Sequence, residues 1–290
     1  MDGYLVAGVD GSPHGREALR FALSEAALRH ARVAAVHAWS IPPLTTGGVG
    51  LIPAYQVVRD ELREDAAEAL AREIEEAASA TPGVTVDAEV VQGDAAGALV
   101  ERSAGAELLV VGSRGRGSLT GALLGSVSQE LLHHAPCPVA VVHAAERALL
   151  SRVVVGVDGS PGASDALGWA FAEARLRSVP VHAVCAYEEP WTLAAAGLSS
   201  AEAAAEYRDA LAADAERIVD DVRTAAPDGV EVTGETVFSP VGHALVELAG
   251  EDLLVVGSRG RGGFKSLLLG SVSRHCAAHA RGVVVVVRRT

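Results

Sequence analysis

Short apolar runs alternate along this chain with longer stretches in which apolar residues recur every three or four positions. The run YLVAGVD at 4–10 is apolar up to its closing Asp10 and predicts a strand buried on both faces. Ser12-Pro13 follow, a helix start with serine as cap and proline at the first helical position. Leu19, Ala22, Leu23, Ala26 and Ala27 then fall on one helical face. RVAAVHAW at 32–39 predicts a second strand, and SIPPLTTGGVGLIPAY at 40–55 is broken up by Pro and Gly. From about 56 to 80, Leu62, Ala66, Ala69, Leu70, Ile74 and Ala77 share a face opposite a row of acids, which predicts a long helix. VTVDAEVV at 84–91 reads as strand three, 94–104 as a helix and ELLVVG at 107–112 as strand four. Gly125-Ser126 opens a helix that ends near HHAPCP, and PVAVVH at 138–143 is strand five. Strands alternating with helices predict an α/β fold on a parallel sheet with right-handed crossovers.

The whole pattern occurs twice. VAGVDGSPHGREALRFALSEA at 6–26 matches VVGVDGSPGASDALGWAFAEA at 154–174, and LLGSVSQELLHHA at 123–135 matches LLGSVSRHCAAHA at 268–280. The offset is 148 residues at Asp10 and Asp158 and 145 at Gly112 and Gly257, so the halves differ by a few loop residues. A period this long is a duplicated domain, not a solenoid. The predicted domains are 1–146 and 147–290, joined by the short stretch AAERALL at 144–150.

Composition narrows the function. The 290 residues are 49% hydrophobic and 21% charged, as in globular proteins. The net charge is −13, with 10 basic and 19 acidic residues in 1–146 and 14 and 18 in 147–290. That balance argues against general nucleic-acid binding and against anionic membrane surfaces. The opening MDGYLVAGVDGS has no basic segment followed by an apolar one, and no apolar run reaches the ~20 residues of a membrane helix. The three scattered cysteines, Cys137, Cys185 and Cys276, point to a reducing compartment, and the expected location is cytoplasmic.

The candidate chemistry lies in LLVVGSRGRG, at 108–117 and again at 253–262. The loop of each copy follows strand four, at the carboxyl end of the sheet, where doubly wound folds bind ligands. Gly112 and Gly115 allow close backbone approach, and Arg114 and Arg116 bring positive charge. Gly125-Ser126 opens a helix whose free N–H groups suit a phosphate, with Ser126 and Ser128 as hydroxyl donors. The second half repeats these parts as Asp158, Gly257, Arg259, Gly260, Arg261, Gly270, Ser271 and Ser273. Other motifs fail. Lys265-Ser266 lacks the preceding glycine of a Walker loop, and GVDGSPHG is not a dinucleotide fingerprint. Ser113 has Val111 where a hydrolase elbow needs glycine. No catalytic pair is evident. His275, Cys276 and His279 have helical spacing open to a metal, but the first half lacks the first two, which favours surface and helix-end side chains.

The pattern G-x2-G-x9-G-[ST] after a strand and before a helix, with GVDGS on strand one, resembles the ATP-binding type of universal stress protein over the whole chain. The resemblance implies two tandem doubly wound domains, each a five-stranded parallel sheet of order 3-2-1-4-5 with helices on both faces. It places adenine and ribose against Gly8 and Asp10, or Gly156 and Asp158, with adenine also at the backbone of Ala38 or Ala186. Ribose and phosphates fall to Gly112, Ser113, Arg114, Gly115, Arg116 and Gly117 with Gly125, Ser126 and Val127. Their counterparts are Gly257, Ser258, Arg259, Gly260, Arg261 and Gly262 with Gly270, Ser271 and Val272. The implied ligand is ATP, with Mg²⁺ held through the phosphates and water. The implied role is nucleotide-dependent regulation in the stress response, through a protein partner and as a homodimer. The alternative is a slow ATPase or phosphate-transferring enzyme; AMP or a cyclic nucleotide stays open as ligand.

Overall fold

A computed structural model describes residues 3–41, 52–116, 124–143, 150–188, 201–261 and 269–288. It divides into two units, Met1–Glu146 and Arg147–Thr290. The first runs β1 (Tyr4–Gly8), α1 (Pro13–Arg29), β2 (Arg32–Trp39), α2 (Ile52–Ala78), β3 (Val86–Gln92), α3 (Ala95–Arg102), β4 (Leu108–Gly112), α4 (Ser126–His134) and β5 (Val139–Val142). The second runs β6 (Val153–Gly156), α5 (Pro161–Arg177), β7 (Val181–Tyr187), α6 (Ala201–Thr224), β8 (Val232–Phe238), α7 (Val241–Ala249), β9 (Leu253–Gly257), α8 (Ser271–His279) and β10 (Val283–Val287).

In the first unit the strands lie in the order β3-β2-β1-β4-β5, and in the second β8-β7-β6-β9-β10. The pairs within each unit are parallel. Central strands read as unbroken apolar runs because helices cover both faces: Leu5, Val6 and Ala7 are fully buried, as are Val153, Val154 and Val155. At the sheet's outer strand the demand relaxes, and β3 is half-exposed with polar residues interspersed.

The caps follow from local chemistry. Ser12 Oγ accepts from the Gly15 N–H at 3.0 Å, with Pro13 opening α1. Ser160 and Pro161 do the same for α5. Both helices end on a residue in the left-handed conformation, His30 (φ 53°) and Ser178 (φ 56°). One boundary differs from expectation. α2 begins at Ile52, not near 56, because Pro53 falls in the first turn, where its missing N–H breaks no hydrogen bond.

Candidate functional site

The strand order reverses between β1 and β4, and the chain leaves both strands at the same end of the sheet. Asp10, just past β1, joins the two exits. Its Oδ1 accepts from the Ser12 N–H (3.0 Å) and the Ser12 hydroxyl (2.6 Å), and its Oδ2 accepts from the Arg116 N–H at 3.0 Å. The carboxylate thus pins the glycine loop to the start of α1. The loop comes so close that a Cβ on Gly115 would stand 2.5 Å from Asp10 Oδ2. A Cβ on Gly112 would meet the His14 backbone at 2.7 Å. These glycines therefore serve close packing inside the loop itself, not only approach to a ligand.

From Ser113 the chain passes to α4. The Gly125 N–H donates to the Ser113 carbonyl at 2.7 Å. Gly125 is the N-cap of α4 and offers no side chain to its first-turn N–H groups, in contrast to Ser12 on α1 and Asp94 on α3. Those N–H groups carry the positive end of the helix dipole. The two serines of the first turn differ. Ser126 is exposed, whereas Ser128 donates its hydroxyl to the Gly112 carbonyl at 2.7 Å. Ser273 does the same to Gly257 at 2.6 Å. The expectation that Ser128 and Ser273 supply donors to a phosphate is corrected: they fasten the helix to the end of β4 or β9.

A cleft of about 490 Å³ opens between these elements. Val36 and Ala38 of β2 and Ala95 and Leu99 of α3 form an apolar wall, and Gly125, Ser126 and Val127 form the polar end.

The second unit repeats the clamp. Asp158 accepts from the Ser160 N–H at 2.9 Å and from the Arg261 N–H at 2.8 Å. A Cβ on Gly260 would stand 2.5 Å from Asp158 Oδ2. Gly270 is again an N-cap without a side-chain bond, and its N–H donates to the Ser258 carbonyl at 2.7 Å.

Comparison with known proteins follows the same division. The model of the universal stress protein family matches residues 4–143 and again 150–288. This chain belongs to the universal stress protein family. Universal stress protein Rv2005c of Mycobacterium tuberculosis is 36% identical over 291 residues, covering 98% of this chain and 96% of the relative. A universal stress protein of Mycolicibacterium smegmatis is 34% identical over 289 residues, covering 98% and 96%. Among solved structures, a universal stress protein from Archaeoglobus fulgidus shares the fold with a TM-score of 0.68 at 20% identity, over 99% of this chain and 98% of that one.

In the first universal stress protein domain, Gly8, Asp10, Ala38, Gly112, Arg114, Gly115, Arg116, Gly125, Ser126 and Val127 all line the one cleft. Ser113 does not; it is fully buried behind the loop, and its hydroxyl has no hydrogen-bond partner. In the second domain, Gly156, Ala186 and Gly257 end β6, β7 and β9 or adjoin those ends, and Asp158, Ser258, Arg259, Gly260 and Arg261 follow in the clamped loops. Gly270 caps α8, and Ser271 and Val272 open it. Gly117 and Gly262 lie outside the described residues.

The arginines divide in a way the sequence does not reveal. Arg114 Nη2 lies 3.3 Å from His14 Nε2, and burial together with Arg114 holds the His14 imidazole below its usual pKa. Arg261 instead bonds Asp214 of α6 at 2.6 Å, and hydrogen bonds from Arg261 and Arg217 hold that carboxyl below its usual range. The Arg116 guanidinium packs against Gly11, whose φ of +75° excludes most side chains, and Glu73 of α2 lies at the same glycine. Among the described residues, no group of three or more His, Cys, Asp or Glu is placed to hold a metal ion. Cys276 is fully buried, whereas His275 and His279 stack at the surface with ring centroids 4.2 Å apart. No helix of the described residues is long and apolar enough to cross a membrane.

Proposed function

We propose that this universal stress protein binds ATP in both domains and acts as a nucleotide-dependent regulator in the stress response. The observation that carries this reading is the first domain's cleft, with an apolar wall at one end and an uncapped helix start at the other. Val36, Ala38 and Leu99 suit a planar base, and the Ser126 and Val127 N–H groups suit phosphate oxygens. Arg114 adds a cation at the same mouth. The second domain carries the same clamp and the same bare helix start. Mg²⁺ would be held by the phosphates and water, as is usual for this ion.

Binding without rapid turnover fits the acid, Asp10, that lines the cleft among the described residues. Asp10 accepts hydrogen bonds on both carboxylate oxygens, so it is committed to holding the loop and is poorly placed to activate water. A cytoplasmic location, a homodimer and a protein partner that reads the bound state complete the proposal. Mass spectrometry of small molecules released from the purified protein tests it. ATP in the released fraction is the expected result, and a stoichiometric non-nucleotide ligand would refute it.

A further inference from the structure

Glu73 is an acid on α2 that turns inward, toward the underside of the glycine loop. Its Oε2 is buried without a hydrogen-bond partner. Its Oε1 lies at Gly11, 2.8 Å from where a Cβ on that glycine would stand. Arg16 of α1, Arg116 of the glycine loop, Asp10 past β1 and His37 of β2 surround it. Arg16 is itself fixed, donating to the Gly11 carbonyl at 2.9 Å. Burial raises the Glu73 carboxyl above its usual pKa, and this outweighs the lowering by the two arginines. The second domain solves the same place differently. Ile218 stands at Gly159, and Arg261 takes its counter-charge from Asp214, one helical turn earlier.

We propose that Glu73 is a positioning residue that makes anionic-ligand binding by the first domain, and not by the second, sensitive to pH. The inference rests on the proposed nucleotide site. When ionised, Glu73 offsets the Arg116 and Arg16 charges beneath the loop. When protonated it no longer does so, and the cleft gains one unit of net positive charge toward the phosphates. Bound phosphates in turn favour the protonated carboxyl, so binding takes up a proton. The gain in affinity is therefore full below the Glu73 pKa of the free protein and is lost as pH rises through its pKa in the complex. The second domain has an apolar residue at that position and an acid whose pKa lies below the usual range, so its affinity has no such dependence.

The test uses the full chain carrying Gly260→Val, which confines binding to the first domain. ATP with Mg²⁺ is titrated by calorimetry from about pH 7.5 to about pH 5 with Glu73 intact, with Glu73→Gln and with Glu73→Ile. Ionisation of the phosphates is common to all three and cancels in the ratios. At the upper end both substitutions are expected to tighten binding by about three- to tenfold. Toward the lower end the Gln ratio should approach unity. A ratio constant across the range, or weaker binding by both variants throughout, would overturn the inference. Absence of ATP binding at every pH would instead remove the proposed function. Coupling is then read in the free protein from the Arg116 Nε–H resonance, which should follow the Glu73 titration and lose that step in Glu73→Gln. A resonance without the step in the parent overturns the coupling itself.

Discussion

Glu25 and Glu173 occupy equivalent places in the last turns of α1 and α5, and both side chains are fully buried. Each is paired one turn on, Glu25 with Arg29 at 3.2 Å and Glu173 with Arg177 at 2.6 Å. Burial lowers the Arg177 pKa to about 10, a measure of how little water reaches that pair. Removing one partner of a buried ion pair costs more than the pair contributes, because the survivor stays desolvated. Glu173→Ala should therefore destabilise the protein by about 3 kcal/mol in chemical denaturation, whereas Glu17→Ala, at the surface pair with Arg20, should cost about 0.5 kcal/mol or less. The sequence holds a trace of this role, since the glutamate recurs at the same place in both matched segments. Its burial is not legible, because a charged residue inside a helical apolar pattern looks like a solvated one. The loop arginines are the same kind of case. Spacing places Arg116 and Arg261 near a phosphate, but the acids that face them come from α2 and α6, tens of residues away in the chain.

At the scale of elements, strands, caps and the crossover point were readable because each has a local signature. Apolar runs mark buried strands, Ser-Pro marks a helix start, and Gly-Ser after the glycine loop marks the bare start of α4. Where packing between elements decides, the chain carries no such local signature. Leu99 and Ala95 line the cleft because α3 leans on β1 and β2, and no local pattern separates these from ordinary core residues. The bare cap can be tested against its own logic. Gly125 has φ −73° and ψ 155°, which any residue adopts, and an added Cβ would find its nearest neighbour at 3.5 Å. Gly125→Asp therefore fits, and its carboxylate can accept from the first-turn N–H groups. The apo protein should gain a few tenths of a kcal/mol in thermal unfolding. ATP binding by the first domain should fall by at least about tenfold, because a fixed anion then occupies the phosphate position. Calorimetry with ATP beside a melting curve reads both. A loss of stability together with lost binding would mean that the substitution had damaged the fold, and unchanged binding would remove α4 from the site.

For the whole molecule, duplication makes each domain a control for the other. Both clamps are closed within one domain: Asp10 holds the Arg116 N–H, and Asp158 holds the Arg261 N–H. Each loop is also joined to its own short helix, through Ser113 and Gly125 or Ser258 and Gly270. The site residues named for one domain are all supplied by that domain's own chain segment. Repetition of Asp, glycine loop and Gly-Ser exposes the site in the sequence, while the differences between Glu73 and Ile218 or His14 and Gly162 expose its tuning only through the contacts they make. Gly115→Val and Gly260→Val should each force a branched side chain onto a carboxylate that a Cβ alone would already meet at 2.5 Å. The loop must then leave its aspartate, and the N–H bond to Arg116 or Arg261 breaks with it. Each single variant should bind half as much ATP as the parent, with the affinity of the remaining site unchanged within about twofold, as expected for sites built from separate chain segments. The double variant should bind none. Full stoichiometry in both single variants would dismiss the glycine loops as the binding element. Loss of both sites in either one would show that the domains bind as a coupled pair.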